Sequence, residues 1–252
     1  LLAASTGCQW LEMDVVITGD GQVLVSHEPW MDHHICRDPE GRVMSEEAGR
    51  AINIFELQLS EVQRFGCVPA NSTKGLATQA GWYKPTLAEL VRAVDAHAAE
   101  NNTNPPSFNI EIKSEPQLYG TYQPPPYRFA ELVLREVMAL DIEHRCIMQS
   151  FDPAVLEAMH ALAPHLQLAL LVDNADGIQA NLARLSFTPY YYSPAFSIAD
   201  TRLVEALREK GIGLLVWTVN DEADMLRMLD LCVDGLITDK PKQAMALIAE
   251  RQ

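Results

Sequence analysis

Two segments of this chain alternate apolar and polar residues, and the polar positions of both carry charge. In residues 10–16, Glu12 and Asp14 alternate with apolar residues, and residues 108–113 repeat the pattern around Glu111. Because side chains alternate between the two faces of a strand, both segments are predicted to be strands with one apolar and one charged face. Burial of unpaired carboxylates is costly, so these acidic faces require a cation.

That cation is either Lys113 alone or a metal ion that leaves Lys113 free to contact a ligand anion. Three carboxylates with no nearby thiolate offer hard oxygen ligands, which suit Mg²⁺, Ca²⁺ or Mn²⁺ better than zinc. The competing interpretation is a structural network of ion pairs inside the fold. The pattern of residues leaves both interpretations open.

A histidine is predicted to join the acidic residues through a hairpin. Residues 18–21 (TGDG) are typical of a hairpin turn, and residues 22–28 then return as an antiparallel strand. This return brings His27 beside Glu12 and Asp14. An imidazole in that position can act as a general acid or base.

From residue 86 onward, helical and strand patterns alternate. Thr86 and Glu89 match a capping box, and the helix that follows has an apolar stripe formed by Leu87, Leu90, Val91, Val94 and Ala98. The later elements are predicted as strand 107–113, helix 127–140, strand 146–151, a helix from 153, strand 167–172, helix 176–185, strand 190–193, helix 201–210, strand 213–219, helix 222–229, strand 235–238 and a final helix to about 249. This alternation predicts an α/β fold with a parallel sheet. Without the antiparallel hairpin arm, the strands are one short of an eight-stranded barrel.

Residues 29–85 have no sustained period and are rich in Gly, Pro, Asn, Ser and charge. They are predicted to be an insertion within a single domain that spans residues 1–252. A disulfide between Cys36 and Cys67 could staple this long loop. Such a bond would favour an oxidising compartment, and so a periplasmic over a cytoplasmic location.

Other cysteines and histidines carry a structural interpretation. Cys8, Cys146 and Cys232 lie in apolar runs, where cysteine usually fills a core. His33 and His34 have the look of a metal-binding pair. Adjacent residues on one strand face opposite ways, however, so both are predicted to be plain loop residues.

Size and charge limit the possible partners. A chain of 252 residues is long enough for one complete α/β barrel. A formal net charge of -15 argues against binding nucleic acid or anionic membranes. Neither a signal peptide nor a run of about 20 apolar residues, the length that spans a bilayer, is visible.

Six short motifs occur in an order found in one enzyme family. They are Glu12-Met13-Asp14-Val15, Ser26-His27-Glu28-Pro29, Asn109-Ile110-Glu111-Ile112-Lys113, Gln149-Ser150-Phe151, Trp217-Thr218-Val219-Asn220 and Asp234-Gly235-Leu236-Ile237-Thr238-Asp239. Together they resemble the glycerophosphodiester phosphodiesterases over nearly the whole chain. The resemblance implies a TIM-type (β/α)8 barrel of the phospholipase C-like phosphodiesterase kind. It also implies one divalent cation and hydrolysis of small-molecule glycerophosphodiesters to glycerol 3-phosphate and an alcohol.

The resemblance also implies roles for individual residues. Matching of the motifs makes Glu12, Asp14 and Glu111 the metal ligands, His27 one of two catalytic histidines, and Lys113 the contact to the substrate phosphate. A barrel has its active site at the carboxyl ends of its strands, where further residues are expected to contact substrate: Gln149, Phe151 and Trp217. For these three, the alternatives are a hydrogen-bonding role in a loop for the glutamine and ordinary core packing for the two aromatic residues.

The sequence departs from the family pattern in two ways. The opening strand of the family, which ends in His-Arg-Gly, is not present, so the first strand and the second catalytic histidine are expected to be missing. Residues 1–7 resemble the end of the helix that follows that strand. His27 is followed by Glu28 rather than Asp, which is typical of relatives with a long insertion.

Two other functions remain open on the sequence. One is a phospholipase-like activity of the sphingomyelinase D or phosphoinositide kind, which needs an exposed apolar loop; Trp30-Met31 and Gly81-Trp82-Tyr83 are the candidates. The other is a catalytically inactive barrel that only binds a phosphate ligand.

Overall fold

A computed structural model of the chain describes residues 2–68 and 82–251. The strands are β1 Trp10–Ile17, β2 Val23–Val25, β3 Cys36–Arg37, β4 Gly66–Cys67, β5 Ser107–Ile112, β6 Cys146–Ser150, β7 Gln167–Val172, β8 Tyr191–Pro194, β9 Gly213–Val216 and β10 Gly235–Leu236. The α-helices are α1 Glu46–Arg50, α2 Leu59–Val62, α3 Leu87–Glu100, α4 Pro126–Ala139, α5 Pro153–Leu162, α6 Ile178–Leu182, α7 Thr201–Glu209, α8 Glu222–Asp230 and α9 Pro241–Ala249. The predicted alternation of strands and helices after residue 86 is confirmed.

Eight of these strands form one sheet, in the order β10-β9-β8-β7-β6-β5-β1-β2. Neighbouring strands from β1 and β5 through β10 are parallel, and β2 is antiparallel to β1, as the hairpin predicted. Among the described residues no pairing joins β1 to β10, so the sheet is open between them. The fold is therefore α/β with a mostly parallel, open sheet.

The apolar faces of β1 and β5 pack against helices α3, α4 and α5. Val15, Ile110 and Ile112 are fully buried in this core together with Phe129 of α4 and Val155 of α5. Burial of these side chains turns the alternate positions of both strands to the opposite face of the sheet. The charged residues of the two strands consequently share one side, away from the helices.

The predicted capping box begins α3. The Thr86 hydroxyl accepts a hydrogen bond from the Glu89 backbone N–H at 3.1 Å, and the Glu89 carboxylate accepts one from the Thr86 N–H at 2.8 Å. Such a cap contributes about 1 kcal/mol to helix stability. Leu87, Val91 and Val94 of the predicted stripe are buried.

The described part of residues 29–85, the predicted insertion and called the insertion below, has a small apolar core of its own. Met31, Ile54 and Val62 are fully buried there, against Val16 of β1 and Leu24 of β2. Burial of Met31 rules it out as part of an exposed apolar loop. Residues 69–81 of the predicted insertion, Gly81 among them, lie outside the described residues.

A disulfide joins the two cysteines of the insertion. Cys36 and Cys67 pair directly across the antiparallel strands β3 and β4, with their Cα atoms 4.1 Å apart. The predicted bond is confirmed. Of the three cysteines assigned to the core, Cys146 is buried, Cys8 is half-buried and Cys232 is exposed in the turn after α8. The core assignment of Cys232 is wrong, because helix α8 ends at Asp230 and Cys232 lies in the turn that follows, with a positive φ of 55° and an exposed side chain.

Candidate active site

The register between β1 and β5 brings three carboxylates together on the polar side of the sheet. Asp14 pairs with Glu111, and Glu12 pairs with Asn109. One carboxylate oxygen from each of Glu12, Asp14 and Glu111 lies within 4.8 Å of the other two. Three anionic groups at this separation repel one another and offer hard oxygen ligands from two strands. The donor set fits a divalent cation of the Mg²⁺ or Ca²⁺ type.

Lys113 neutralises part of this negative charge. Its Nζ lies 2.9 Å from Glu111 Oε1 and 3.5 Å from Asp14 Oδ1. Burial of Glu111 raises the pKa of its carboxyl group to about 7, with repulsion from Asp14 adding to the rise and Lys113 opposing it. One ammonium group therefore does not neutralise three carboxylates. The negative charge that remains favours the binding of a second cation.

Gln149 extends the cluster onto β6. Its Nε2 donates a hydrogen bond to Glu12 Oε1 at 3.1 Å. The Gln149 side chain is buried, and its Oε1 atom has no hydrogen-bond partner among the described residues. Glu12 itself lies along the open edge of the sheet, where part of the residue is exposed. Withdrawal of its carboxyl group from water raises its pKa, and the charges of Asp14 and Glu111 raise it further.

The hairpin brings His27 to the edge of the carboxylate cluster. The Ser26 backbone N–H donates to the Asp14 carbonyl at 3.0 Å, which anchors the end of the hairpin. His27 Nε2 then lies 3.1 Å from Lys113 Nζ, and His27 Nδ1 lies 2.8 Å from Glu28 Oε1. An ammonium group only donates, so Nε2 accepts in this contact and Nδ1 carries the hydrogen that Glu28 accepts. The hydrogen bond to Glu28 raises the pKa of His27, although partial burial opposes the rise.

Comparison with known proteins identifies the family. A model of the glycerophosphoryl diester phosphodiesterase family matches residues 2–243. The chain belongs to this family. The prediction drawn from the six sequence motifs is confirmed, and the protein is by family a phosphoric diester hydrolase with an α/β fold.

Relatives of this phosphodiesterase match it along almost the whole chain. The glycerophosphodiester phosphodiesterase of Caldanaerobacter subterraneus subsp. tengcongensis is 28% identical over 246 residues, which cover 98% of this chain and 88% of that protein. A crystal structure from Silicibacter pomeroyi, assigned as a glycerophosphoryl diester phosphodiesterase, gives a TM-score of 0.81 at 25% identity and covers 98% of this chain and 85% of that one. An Oleispira antarctica phosphodiesterase in complex with the product sn-glycerol-3-phosphate shares the fold, with a TM-score of 0.75, 19% identity and coverage of 98% and 88%.

Two aromatic residues of the phosphodiesterase meet at the carboxyl ends of β6 and β9. The rings of Phe151 and Trp217 contact edge to face, with centroids 5.4 Å apart. Trp217 Nε1 donates to the Ser193 carbonyl at 2.8 Å, which fixes the orientation of the indole. Both residues are only partly buried, so the pair forms a wall with an accessible surface.

Lys84 is a residue of this site that the sequence analysis missed. It is only 6% exposed, and its Nζ donates to Ser26 Oγ at 2.6 Å. Ser26 Oγ in turn donates to the Glu28 carbonyl at 2.6 Å. Burial lowers the pKa of Lys84 to about 8, while the charges of Asp32, Glu28 and Asp14 oppose that shift. A single lysine in a polar segment is expected to be exposed to solvent, so no local sequence pattern identifies Lys84 as part of the site.

A hydrogen-bond network lies directly behind Lys113. Ser114 Oγ donates to Asp152 Oδ2 at 2.6 Å, and Tyr119 Oη donates to the same oxygen. Gln123 Nε2 completes the network by donating to Ser114 Oγ at 3.1 Å. Ser114, Gln123 and Asp152 are buried. These bonds fix the backbone where the chain leaves β5, and so restrict the position of the Lys113 side chain.

Proposed function

We propose that this protein hydrolyses glycerophosphodiesters to glycerol 3-phosphate and an alcohol at the cluster formed by Glu12, Asp14, Glu111, Lys113 and His27. The observation that carries the proposal is the convergence of three carboxylates, an ammonium group and an imidazole at the polar side of β1 and β5. Membership of the glycerophosphoryl diester phosphodiesterase family supports the reaction class. The relative from Caldanaerobacter, which carries the name glycerophosphodiester phosphodiesterase, supports the substrate class.

In this proposal Glu12, Asp14 and Glu111 hold one divalent cation, Mg²⁺ or Ca²⁺ or alternatively Mn²⁺. Hard carboxylate oxygens are the donors that such ions prefer, and the uncompensated negative charge of the cluster favours their binding. A bound cation supplies Lewis acidity toward the phosphoryl oxygens. Lys113 and His27 lie beside the carboxylates and are left free of the cation.

The remaining groups act on the substrate directly. Lys113 contacts a phosphoryl oxygen and stabilises the negative charge that grows there in the transition state. His27 transfers a proton through Nε2, because its Nδ1 is engaged with Glu28. The proton goes to the leaving alcohol oxygen or comes from the nucleophile, which is water or the glycerol 2-hydroxyl. Gln149, Phe151 and Trp217 line the space for the rest of the substrate.

For the architecture, we infer a TIM-type barrel in which the place between β1 and β10 is open. Residues 1–252 then form one domain, and residues 29–85 are an insertion in it. The order of the parallel strands and the position of polar residues at their carboxyl ends support this interpretation. The Cys36–Cys67 disulfide supports an oxidising compartment.

A small soluble substrate is favoured over a membrane lipid. Of the residues considered for an apolar loop, Met31 is buried, and Trp30 packs against Tyr122 and Arg50. Trp82 and Tyr83 are partly exposed, at 41% and 38%, but Tyr83 is also hydrogen-bonded to Glu89. The described part of the chain contains no helix that could cross a membrane.

The central test removes one charge from the carboxylate cluster. Glu111→Gln keeps the shape of the side chain, and we expect it to lower kcat/KM for glycerophosphocholine by about 100-fold or more and to raise the cation concentration needed for half-maximal activity. Glu209→Gln, on the exposed end of α7, is the matched control and should change neither quantity. Full activity of the wild type in excess chelator would contradict the proposed cation.

A second test separates chemistry from cation binding. His27→Ala removes the proton-transfer group but none of the three carboxylates. We expect kcat to fall by about 1,000-fold while the cation concentration for half-maximal activity stays unchanged. Retention of wild-type kcat would remove His27 from the mechanism.

A further inference from the structure

Asp32, His33 and His34 converge at a turn of the insertion, outside the carboxylate cluster. Asp32 Oδ1 lies 3.0 Å from His34 Nδ1 and 3.7 Å from His33 Nδ1. The three ligand atoms all lie within 4.8 Å of one another. The two imidazole centroids are 3.8 Å apart, so both rings lie on the same side of the chain.

This convergence depends on the local backbone. The prediction that His33 and His34 face opposite ways assumed a strand, whereas residues 33–35 form a turn. The His34 backbone N–H also donates to Asp32 Oδ1 at 2.9 Å, which orients the carboxylate toward both rings. In this turn, unlike in a strand, the two histidine side chains do not point to opposite faces.

The turn is firmly held on both sides. Gly49 of α1 packs so closely that a Cβ atom there would lie 2.4 Å from the Met31 carbonyl oxygen and 3.4 Å from His33 Cβ. Met31 is fully buried, and Cys36 anchors the other end of the turn through its disulfide. Little conformational freedom is lost if the three side chains bind a common ligand.

We propose that Asp32, His33 and His34 bind one divalent transition-metal ion of the zinc class. Two atoms that are each about 2.1 Å from a tetrahedral ion lie about 3.4 Å apart. The separations of 3.0 and 3.7 Å from Asp32 Oδ1 to the two imidazole nitrogens bracket that value. The His34 side chain is 75% exposed, which leaves the fourth position open to water.

The chemistry of the donors distinguishes this site from the carboxylate cluster. Two imidazoles and one carboxylate prefer zinc, cobalt or nickel to Mg²⁺ or Ca²⁺, whereas three carboxylates prefer the harder ions. An ion at the turn would partly neutralise Asp32, whose charge acts on both Glu28 and Lys84. It would also favour the folded conformation of this turn, and so stabilise the protein.

Calorimetric titration of the full chain with Zn²⁺, in excess Ca²⁺ to fill the carboxylate cluster, tests the proposal. We expect one Zn²⁺ per chain in the wild type. His34→Ala should weaken binding at least about tenfold, and His33→Ala with His34→Ala about 100-fold or more. The single variant changes a mostly exposed side chain and keeps the fold, so a loss of binding there is not a folding defect.

A matched control removes two histidines from elsewhere. His144→Ala with His165→Ala should keep the wild-type affinity and stoichiometry, because neither residue belongs to the turn. Zn²⁺ should raise the Tm of the wild type and of this control, but not of the variant that lacks His33 and His34. Equal Zn²⁺ binding by the wild type, this control and the variant that lacks His33 and His34 would overturn the proposal. Displacement of the Zn²⁺ by Ca²⁺ would also overturn it.

Discussion

His27 is held from two sides, with Lys113 at Nε2 and Glu28 at Nδ1. Because the Glu28 hydrogen bond raises the pKa of His27, the protonated imidazole persists to higher pH than it otherwise would. Glu28→Gln replaces the carboxylate by a neutral amide and weakens this effect, so we expect the pH at which activity is limited by His27 to fall. The measurement is kcat for glycerophosphocholine against pH, with Glu209→Gln as the control. An unchanged pH profile of kcat would contradict the proposed effect of Glu28 on the pKa of His27.

Lys84 supports the segment that carries His27 through its hydrogen bond to Ser26. Lys84→Met keeps the length of the side chain and removes the bond from Nζ to Ser26 Oγ. We expect kcat to fall about tenfold, because the segment that carries His27 loses a fixed support. We expect at most a modest fall in Tm, because the buried Ser26 Oγ loses one hydrogen-bond donor but keeps its bond to the Glu28 carbonyl. A large loss of Tm with unchanged kcat would make Lys84 purely structural.

At the scale of elements, the disulfide determines how firmly the insertion is closed. Cys36 and Cys67 are separated by 31 positions in the sequence. Loop-closure entropy predicts that Cys36→Ser with Cys67→Ser lowers the free energy of unfolding by about 3 to 4 kcal/mol. Denaturant unfolding measures the change, and Cys232→Ser is the control because that thiol is exposed and free. Equal stability of the double variant and the wild type would show that the bond contributes little.

The pairing of β1 with β5 is the element-level feature on which the candidate site depends. A shift of one residue in this register would place Asp14 opposite Ile110 or Ile112 and separate it from Glu111. The buried isoleucines oppose such a shift, because it would turn them to the polar side. Packing of the apolar face therefore fixes the geometry of the charged face.

At the scale of the whole molecule, the net charge of -15 repels anionic substrates. Salt screens this repulsion, since the Debye length falls from about 30 Å at 0.01 M to about 8 Å at 0.15 M ionic strength. We expect kcat/KM for glycerophosphoglycerol, which is anionic, to rise about two- to threefold over this range. The value for zwitterionic glycerophosphocholine should stay nearly constant. An equal response of the two substrates would mean that the overall charge does not affect substrate capture.

The sequence by itself determined the features that depend on local pattern. Period-two alternation identified the strands of Glu12 and Glu111, and the Thr86 capping box marked the start of α3. The TGDG turn predicted the hairpin that returns His27 to Asp14. These features involve residues close in the chain, where backbone preference and side-chain direction follow from the residues themselves.

Only the tertiary structure decided which distant residues meet. Lys84 reaches Ser26 across 58 positions of sequence, and Gln149 reaches Glu12 across 137. The turn that carries His33 and His34 is likewise held by close packing against Gly49 of α1. No local propensity encodes such contacts. They arise from the way the insertion and the strands pack around a shared core, which depends on the whole chain at once.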